Sequence, residues 1–344
     1  MKKNTFISLI VLSILSCLTV LPLFAKSTKN NRSNQVIVYT YDSFAGEWGP
    51  GPELIEKFKK ATGYDLVFID CGDAVEAYNR ALSEKDNVQA DVVLGIDNNL
   101  YKDAISSGIL KVYKPKNADK VLSDNLEEQI GGDYHLTPYD YSHFAIIYDT
   151  QSNVPAPESL EDLTKDIYKK KIILMDPRTS TPGLGFASWT ISVFGEKYPE
   201  YWSALKPNIL SMTPGWSAGW GMFSSGEAPL VISYTTSPAY TLEEEGSDRY
   251  KALIFDEGHV MQVEGYGLLN NAPNEKGAKA FMDFMITESA QETLLFTQWM
   301  YPANKNVKIP ESYNKASPVP SKTLKTETEA TSRAVNKIIS IVAK

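Results

Sequence analysis

Two stretches of this 344-residue chain concentrate groups that could hold an anion. The first is Asp176-Pro177-Arg178-Thr179-Ser180-Thr181-Pro182-Gly183-Leu184-Gly185, and the second is Ser233-Tyr234-Thr235-Thr236-Ser237-Pro238-Ala239-Tyr240. Each follows an apolar run, Ile172-Ile173-Leu174-Met175 or Pro229-Leu230-Val231-Ile232, and each precedes a helix-like segment. A strand that ends in such a loop and opens a helix offers unpaired first-turn N–H groups and the positive end of the helix dipole. Ser and Thr hydroxyls add donors. Helix capping accounts for either loop by itself, with Thr181 and Pro182 at the start positions of one. The recurrence of the pattern is what points to a ligand.

Aromatic residues give the second chemical signal. Tyr41, Trp48, Trp216, Tyr234, Tyr240, Trp299 and Tyr301 mostly fall beside Gly, Pro, Ser or Thr in predicted loops. Rings at several strand-end loops suggest a cleft lined by π faces. Such faces hold flat heterocycles and attract cations by about 0.5–2 kcal/mol each.

Other chemistries match less well. His135, His143 and His259 are widely spaced and have no cysteine companion, which argues against zinc. There is no phosphate-binding P-loop. Gly215-Trp216-Ser217-Ala218-Gly219 fits the nucleophile-elbow pattern, with Ser217 as the nucleophile of a serine hydrolase. Pro214 interrupts the strand that an elbow requires, and Asp256 lies only three residues before His259. Tyr234 and Tyr240 could be phenolate ligands of ferric iron, as in exported iron-binding proteins. Such sites usually set two tyrosines side by side, and here they are six positions apart.

Positioning these groups requires a frame. Val36–Tyr39, Leu66–Ile69 and Asp91–Gly95 read as strands. Helices are expected from Gly49-Pro50-Gly51-Pro52 through about Thr62, from Ala74 to about Ser83, and after Asp97-Asn98-Asn99. Strand, loop and helix repeated this way make a doubly wound α/β sheet with ligand groups at strand carboxyl ends. Thr137–Tyr148 reads as a long strand crossing to a second α/β unit, and Val260–Leu269 as the return strand. Helix is expected over Lys276–Phe296, an extended connection over 303–321, and a closing helix from Lys322 to Lys344.

The amino terminus has the pattern of a secretory signal peptide. Lys2 and Lys3 precede the almost wholly apolar Phe6–Leu23, and Ala25 offers a small residue at the cut. Ile14-Leu15-Ser16-Cys17 also resembles a loose bacterial lipobox, which would make Cys17 the lipidated first residue. The apolar Leu18–Phe24 suits a soluble tether poorly and favours the cut after Ala25. Removing residues 1–25, which hold two lysines and no acid, takes the net charge from −8 to −10. A surface that acidic argues against nucleic acid as a partner. Cys71 would then be a single thiol without an internal disulfide partner.

Together these residues resemble the periplasmic thiamine-binding proteins of bacterial ABC importers, from about Val36 to Pro302. The matching stretches are Tyr39-Thr40-Tyr41-Asp42-Ser43-Phe44, Trp48-Gly49-Pro50-Gly51-Pro52, Ala90–Gly95 with Asp97-Asn98-Asn99-Leu100, Asp176–Gly185, Ser233–Tyr240, and Trp299-Met300-Tyr301-Pro302. The resemblance implies a two-lobed periplasmic substrate-binding fold of type II, with a double-crossover hinge and the ligand between lobes. Its expected divisions are a signal peptide over 1–25, a first lobe over 35–138, a second over 139–258, a return to the first over 259–305, and a connection and C-terminal helix over 306–344. It implies a periplasmic receptor, not an enzyme, with no cofactor or metal. The ligands would be thiamine, thiamine monophosphate and thiamine diphosphate, delivered to a permease and its ATPase on separate chains. By the same resemblance, Asp73 would contact the pyrimidine, with Ala74 after it where a glycine is usual. Ser180 and Thr181 would form a phosphate loop. Trp216, the segment Tyr234, Thr235, Thr236 and Ser237, and the aromatic residues Tyr41, Tyr240 and Trp299 would complete the site.

Overall fold

The computed structural model of the protein describes residues 32–343. The expected signal peptide, its cut after Ala25 and Cys17 lie outside them.

The first lobe opens with β1 (Gln35–Thr40), the short α1 (Asp42–Ala45), α2 (Gly51–Thr62), β2 (Asp65–Asp70), α3 (Ala74–Ser83) and β3 (Val92–Asp97). It continues through α4 (Tyr101–Ser106), β4 (Leu110–Lys111) and α5 (Ala118–Val121). β1 pairs in parallel with β2 on one side and β3 on the other. All six residues of β3 are buried, between parallel β1 and antiparallel β10 inside the first lobe's sheet. That is why its sequence is a continuous apolar run and does not alternate. Gly63 ends α2 in the left-handed conformation, the cap a glycine adopts without strain.

The long strand β5 (Thr137–Asp149) then crosses to the second lobe. That lobe holds β6 (Ile172–Met175), α6 (Thr181–Phe194), α7 (Tyr198–Leu205), β7 (Ile209–Thr213), α8 (Trp216–Ser224), β8 (Leu230–Tyr234), α9 (Ser237–Glu245) and β9 (Tyr250–Leu253). β10 (His259–Leu269) returns, followed by α10 (Glu275–Met285), α11 (Glu288–Thr297), β11 (Tyr301–Pro302), α12 (Glu311–Ala316), β12 (Thr323–Leu324) and α13 (Thr328–Val342). The strand order β2-β1-β3-β10-β5-β8-β6-β7 puts the two crossing strands side by side at the centre of a mixed sheet.

Each lobe has its own apolar core, and the crossing strands belong to both. Tyr139 of β5 packs with the first core, whereas Phe144, Ile146 and Ile147 pack with the second. In β10 the sense reverses: Val260 lies in the second core, and Val263, Tyr266 and Leu268 lie in the first. β5 and β10 pair antiparallel from Met261 opposite His143 to Tyr266 opposite Thr137, with a register shift between Glu264 and Gly265. Two paired strands passing between two cores make a two-lobed fold with a double-stranded hinge.

Several sequence expectations need correction. The Asp176–Gly185 stretch is a loop only as far as Ser180; its last five residues are the opening of α6, which begins at Thr181. Gly183 and Gly185 are helical. Their glycines serve close approach: a β-carbon at Gly183 would lie 2.6 Å from the Met175 carbonyl, and one at Gly185 would run into the Phe144 ring. The helix expected over Lys276–Phe296 is two helices, because Thr287 turns extended and its hydroxyl caps the Ala290 N–H of α11. The 303–321 connection contains α12, anchored by fully buried Tyr313, whose hydroxyl donates to the carbonyls of Leu295 and Met300. The closing helix starts at Thr328, because Thr323 and Leu324 first pair with β10. Its Ala334 and Ile338 pack into the second core.

Candidate functional site

The first residues of three helices meet at one carboxylate. Asp73 caps α3, accepting the Ala74 N–H at 2.6 Å, while Glu76 accepts the Asp73 N–H to complete a capping box. The same Asp73 carboxylate accepts the Thr181 N–H at the start of α6, at 3.3 Å, and the Trp216 N–H at the start of α8, at 3.2 Å. Asp73 belongs to the first lobe, and Thr181 and Trp216 to the second. One side chain therefore ties both lobes across the cleft. Gly215 permits the approach, since a β-carbon there would lie 3.0 Å from the carboxylate. Burial pushes the Asp73 carboxyl up to about 6, opposed by the Ala74 N–H, the Ser180 hydroxyl and the N–H groups of Thr181 and Trp216. A second bridge runs beside it: the Ser217 hydroxyl donates to Asp42 of α1 at 2.8 Å.

Behind this junction lies a cavity of about 530 Å³, within the range of small-molecule sites. Its walls are aromatic, with Tyr41, Trp216, Trp220, Tyr234, Tyr240 and Trp299 all contributing. Trp216 stacks on Trp220 at 5.4 Å, and its indole N–H donates to Ser233. Tyr234 stacks on Phe144, and Tyr240 meets Trp299 edge-on. Trp299 has a φ of +55°, a strained conformation for a bulky residue, and its ring stacks on Tyr313. The Tyr41 hydroxyl is a junction of its own. It pairs with the Tyr139 hydroxyl at 2.9 Å and with Glu264 at 3.2 Å, and receives the Gln298 amide at 2.6 Å.

Of the residues expected at the site, Asp73, Thr181, Trp216, Tyr234, Ser237, Tyr41, Tyr240 and Trp299 line the cavity. Ser180, Thr235 and Thr236 do not; all three are buried. The Thr235 and Thr236 hydroxyls turn to Ser142 of the crossing strand β5. Ser180 caps α6 by its backbone, and its hydroxyl lies beside the Asp73 carboxylate, whose charged form it favours, without a well-aligned bond. Ala74, which stands where the resemblance has a glycine, is the first residue of α3, and its backbone is helical. The positive φ of this loop falls on Gly72, at +100°.

Residue reasoning missed Trp220, Glu264, Gln298 and Arg249, which also line the cavity. Glu264 carried a readable signal, an acid inside an otherwise apolar crossing strand. Arg249 gave none, because its guanidinium pairs with distant Asp149 at 2.7 Å.

The two alternative chemistries find little support in the geometry. Strand β7 does run through Pro214 and Gly215 into α8, as an elbow needs, but the Ser217 hydroxyl serves Asp42. His259 is buried against Trp189, where its Nε2 accepts the Phe255 N–H and its Nδ1 meets the Phe144 carbonyl. Burial, together with the charges of Glu264 and Asp73, pushes the Tyr234 phenol well up and opposes the phenolate that iron would need. Among the described residues no three His, Cys, Asp or Glu side chains cluster to hold a metal ion.

Comparison with known proteins places the chain in a family. The model of the bacterial extracellular solute-binding protein family matches residues 53–320. The chain is 40% identical over 295 residues to a thiamine-binding periplasmic protein of Brucella abortus, covering 85% of this chain and 86% of that one. It is 38% identical to the thiamine-binding periplasmic protein of Escherichia coli K12, covering 86% of each. A solved periplasmic thiamin-binding protein superposes with a TM-score of 0.84 at 36% identity, over 90% of this chain and 96% of that one.

Proposed function

The chain belongs to the bacterial extracellular solute-binding proteins, among the thiamine-binding periplasmic members, and on that premise we propose that its interlobe cavity binds thiamine for transport. Thiamine is a flat aminopyrimidine joined to a thiazolium cation. The observation that carries the reading is the cavity itself, whose walls are π faces and whose lining acids include Asp73, Glu245 and Glu264. Aromatic faces stack the heterocycles and attract a cation, and the lining acids, buried Asp73 and Glu264 with exposed Glu245, favour a permanent cation over a neutral ligand. Closure about β5 and β10 shuts out water, as in hinge-bending receptors. The receptor works in the periplasm and hands its ligand to a permease and an ATPase on separate chains.

The phosphate esters use the helix starts. Thr181 opens α6 and Ser237 opens α9, and both border the cavity. The Thr181 N–H is held by Asp73, and the Ser237 hydroxyl meets Ser233 and the Tyr234 N–H. The Thr181 hydroxyl and the positive helix ends are therefore what suit a phosphate, with Ser237 positioning the start of α9. The buried hydroxyls of Ser180, Thr235 and Thr236 shape that region without reaching the ligand.

Isothermal titration with thiamine, its monophosphate and its diphosphate tests the reading. Nanomolar affinity, about −12 kcal/mol, is expected for at least one of them. Absence of binding below millimolar for all three sinks it.

A further inference from the structure

The two strands of the hinge carry acids where apolar residues prevail. Asp140 of β5 and Glu264 of β10 are paired directly across the antiparallel ladder. Side chains at such positions share one face, with β-carbons about 4.5–5.5 Å apart. Asp140 is 1% exposed and Glu264 5%. The Asp140 oxygens find no N–H or hydroxyl partner, and the one group they meet is the Glu264 carboxyl, with which they share a hydrogen bond. The groups that act on the two acids are each other, Asp97, Tyr139 and Tyr41, with no lysine, arginine or histidine among them. Two carboxylates this close and this buried do not both ionise, so the pair retains a proton near neutral pH. Burial raises both groups, and their mutual charge adds to it for Asp140. A hinge built for stability alone would be better served by apolar residues at these positions.

The pair has an open side. Glu264 borders the cavity together with Tyr41, Tyr234, Gln298, Trp299 and Met300, whereas Asp140 stands behind it. Asp73, the acid that the family resemblance would set against the pyrimidine, already accepts three main-chain N–H groups. We propose that Glu264, backed by Asp140, recognises the aminopyrimidine edge of the ligand. The assignment rests on the thiamine reading above and names the group that reads its pyrimidine.

The chemistry is complementary in either protonation state. An aminopyrimidine presents an amine donor beside a ring-nitrogen acceptor. A protonated carboxyl presents an acceptor and a donor in one plane. With the proton on the ring instead, a carboxylate faces two donors, and the same two hydrogen bonds form. Asp140 is a positioning residue: by sharing a proton with Glu264 it sets how many donors the pair can present.

The test crosses ligand and residue. The mature chain is titrated calorimetrically with thiamine and with an analogue lacking the 4-amino group, as wild type, Glu264→Gln and Glu264→Met. The wild type should prefer thiamine by roughly 10- to 100-fold, the range of one or two hydrogen bonds to a buried partner. Glu264→Gln should keep that preference, because an amide also offers one acceptor and one donor. Glu264→Met should bring the ratio to about 1, with the loss falling on thiamine. An unchanged ratio in Glu264→Met overturns the assignment while leaving thiamine binding standing. A wild type that binds neither compound overturns the thiamine reading itself. Should Glu264→Met fail to fold, nuclear Overhauser contacts in the wild-type complex decide. Contacts from the ligand amine to the Glu264 γ-protons support the proposal, and contacts to the Asp73 β-protons instead overturn it.

Discussion

Replacing Asp73 by Ala separates two roles that the structure assigns to one carboxylate. The first role is local. Asp73 caps α3, and losing such a cap costs about 1 kcal/mol of stability. The second spans the cleft, through the bonds from Thr181 and Trp216 at 3.3 and 3.2 Å. These are long for charge-assisted bonds, so about 1 kcal/mol each is the appropriate end of the range. They exist in the closed form and are exchanged for water when the lobes part. Their loss should therefore shift the closed–open equilibrium by about 2 kcal/mol, or roughly 30-fold. If ligand is retained through closure, thiamine affinity falls by up to that factor. The amine-lacking analogue should lose the same factor, because the effect acts through closure and not through a ligand group. Small-angle scattering should show a larger radius of gyration for the unliganded variant. A lower melting temperature with unchanged affinity and unchanged scattering would refute the cross-cleft role and leave Asp73 as a helix cap alone.

Ser237→Ala should weaken thiamine monophosphate by about 1–3 kcal/mol and thiamine by much less in parallel titrations; equal losses would contradict the phosphate assignment. Burial first, with the charge of Asp97, raises Glu264 to about 8 against the lowering hydrogen bonds of Asp140, Tyr139 and Tyr41. A raised folded value means that its contribution to stability is full below the unfolded value near 4 and is lost as pH rises through about 8. Unfolding free energy should thus decline with pH across that window by up to about 1 kcal/mol per unit, and Glu264→Gln should flatten the curve in denaturant titrations. Gly185→Ala should cost about 1–3 kcal/mol by overpacking against Phe144, read as a drop in melting temperature; because Phe144 stacks on Tyr234, ligand affinity should fall with it.

Much of this protein is written locally. The alternation of apolar runs with capped amphipathic segments gives β1, α2, β2 and α3 nearly to the residue, because backbone period and end caps depend on near neighbours. The crossing strands were legible for the same reason, as apolar runs too long for an ordinary sheet strand. The clustered aromatics and the two hydroxyl-rich helix starts identified the region of the cleft. What local pattern does not encode is which side chain meets which across distance. Ser180, Thr235 and Thr236 looked equivalent to Thr181 and Ser237 until Ser142 and the packing of α6 turned them away from the cavity. Gly183 and Gly185 look like loop breakers in sequence. Only the contact of α6 with Met175 and Phe144 shows that they allow a helix to lie close. Asp73 reads as a cap or a ligand, and its bonds to the starts of α6 and α8 depend on the lobes being closed. The pairing of Asp140 with Glu264 is fixed by the antiparallel register of two strands far apart in the chain, and a shift of one residue would turn their side chains to opposite faces.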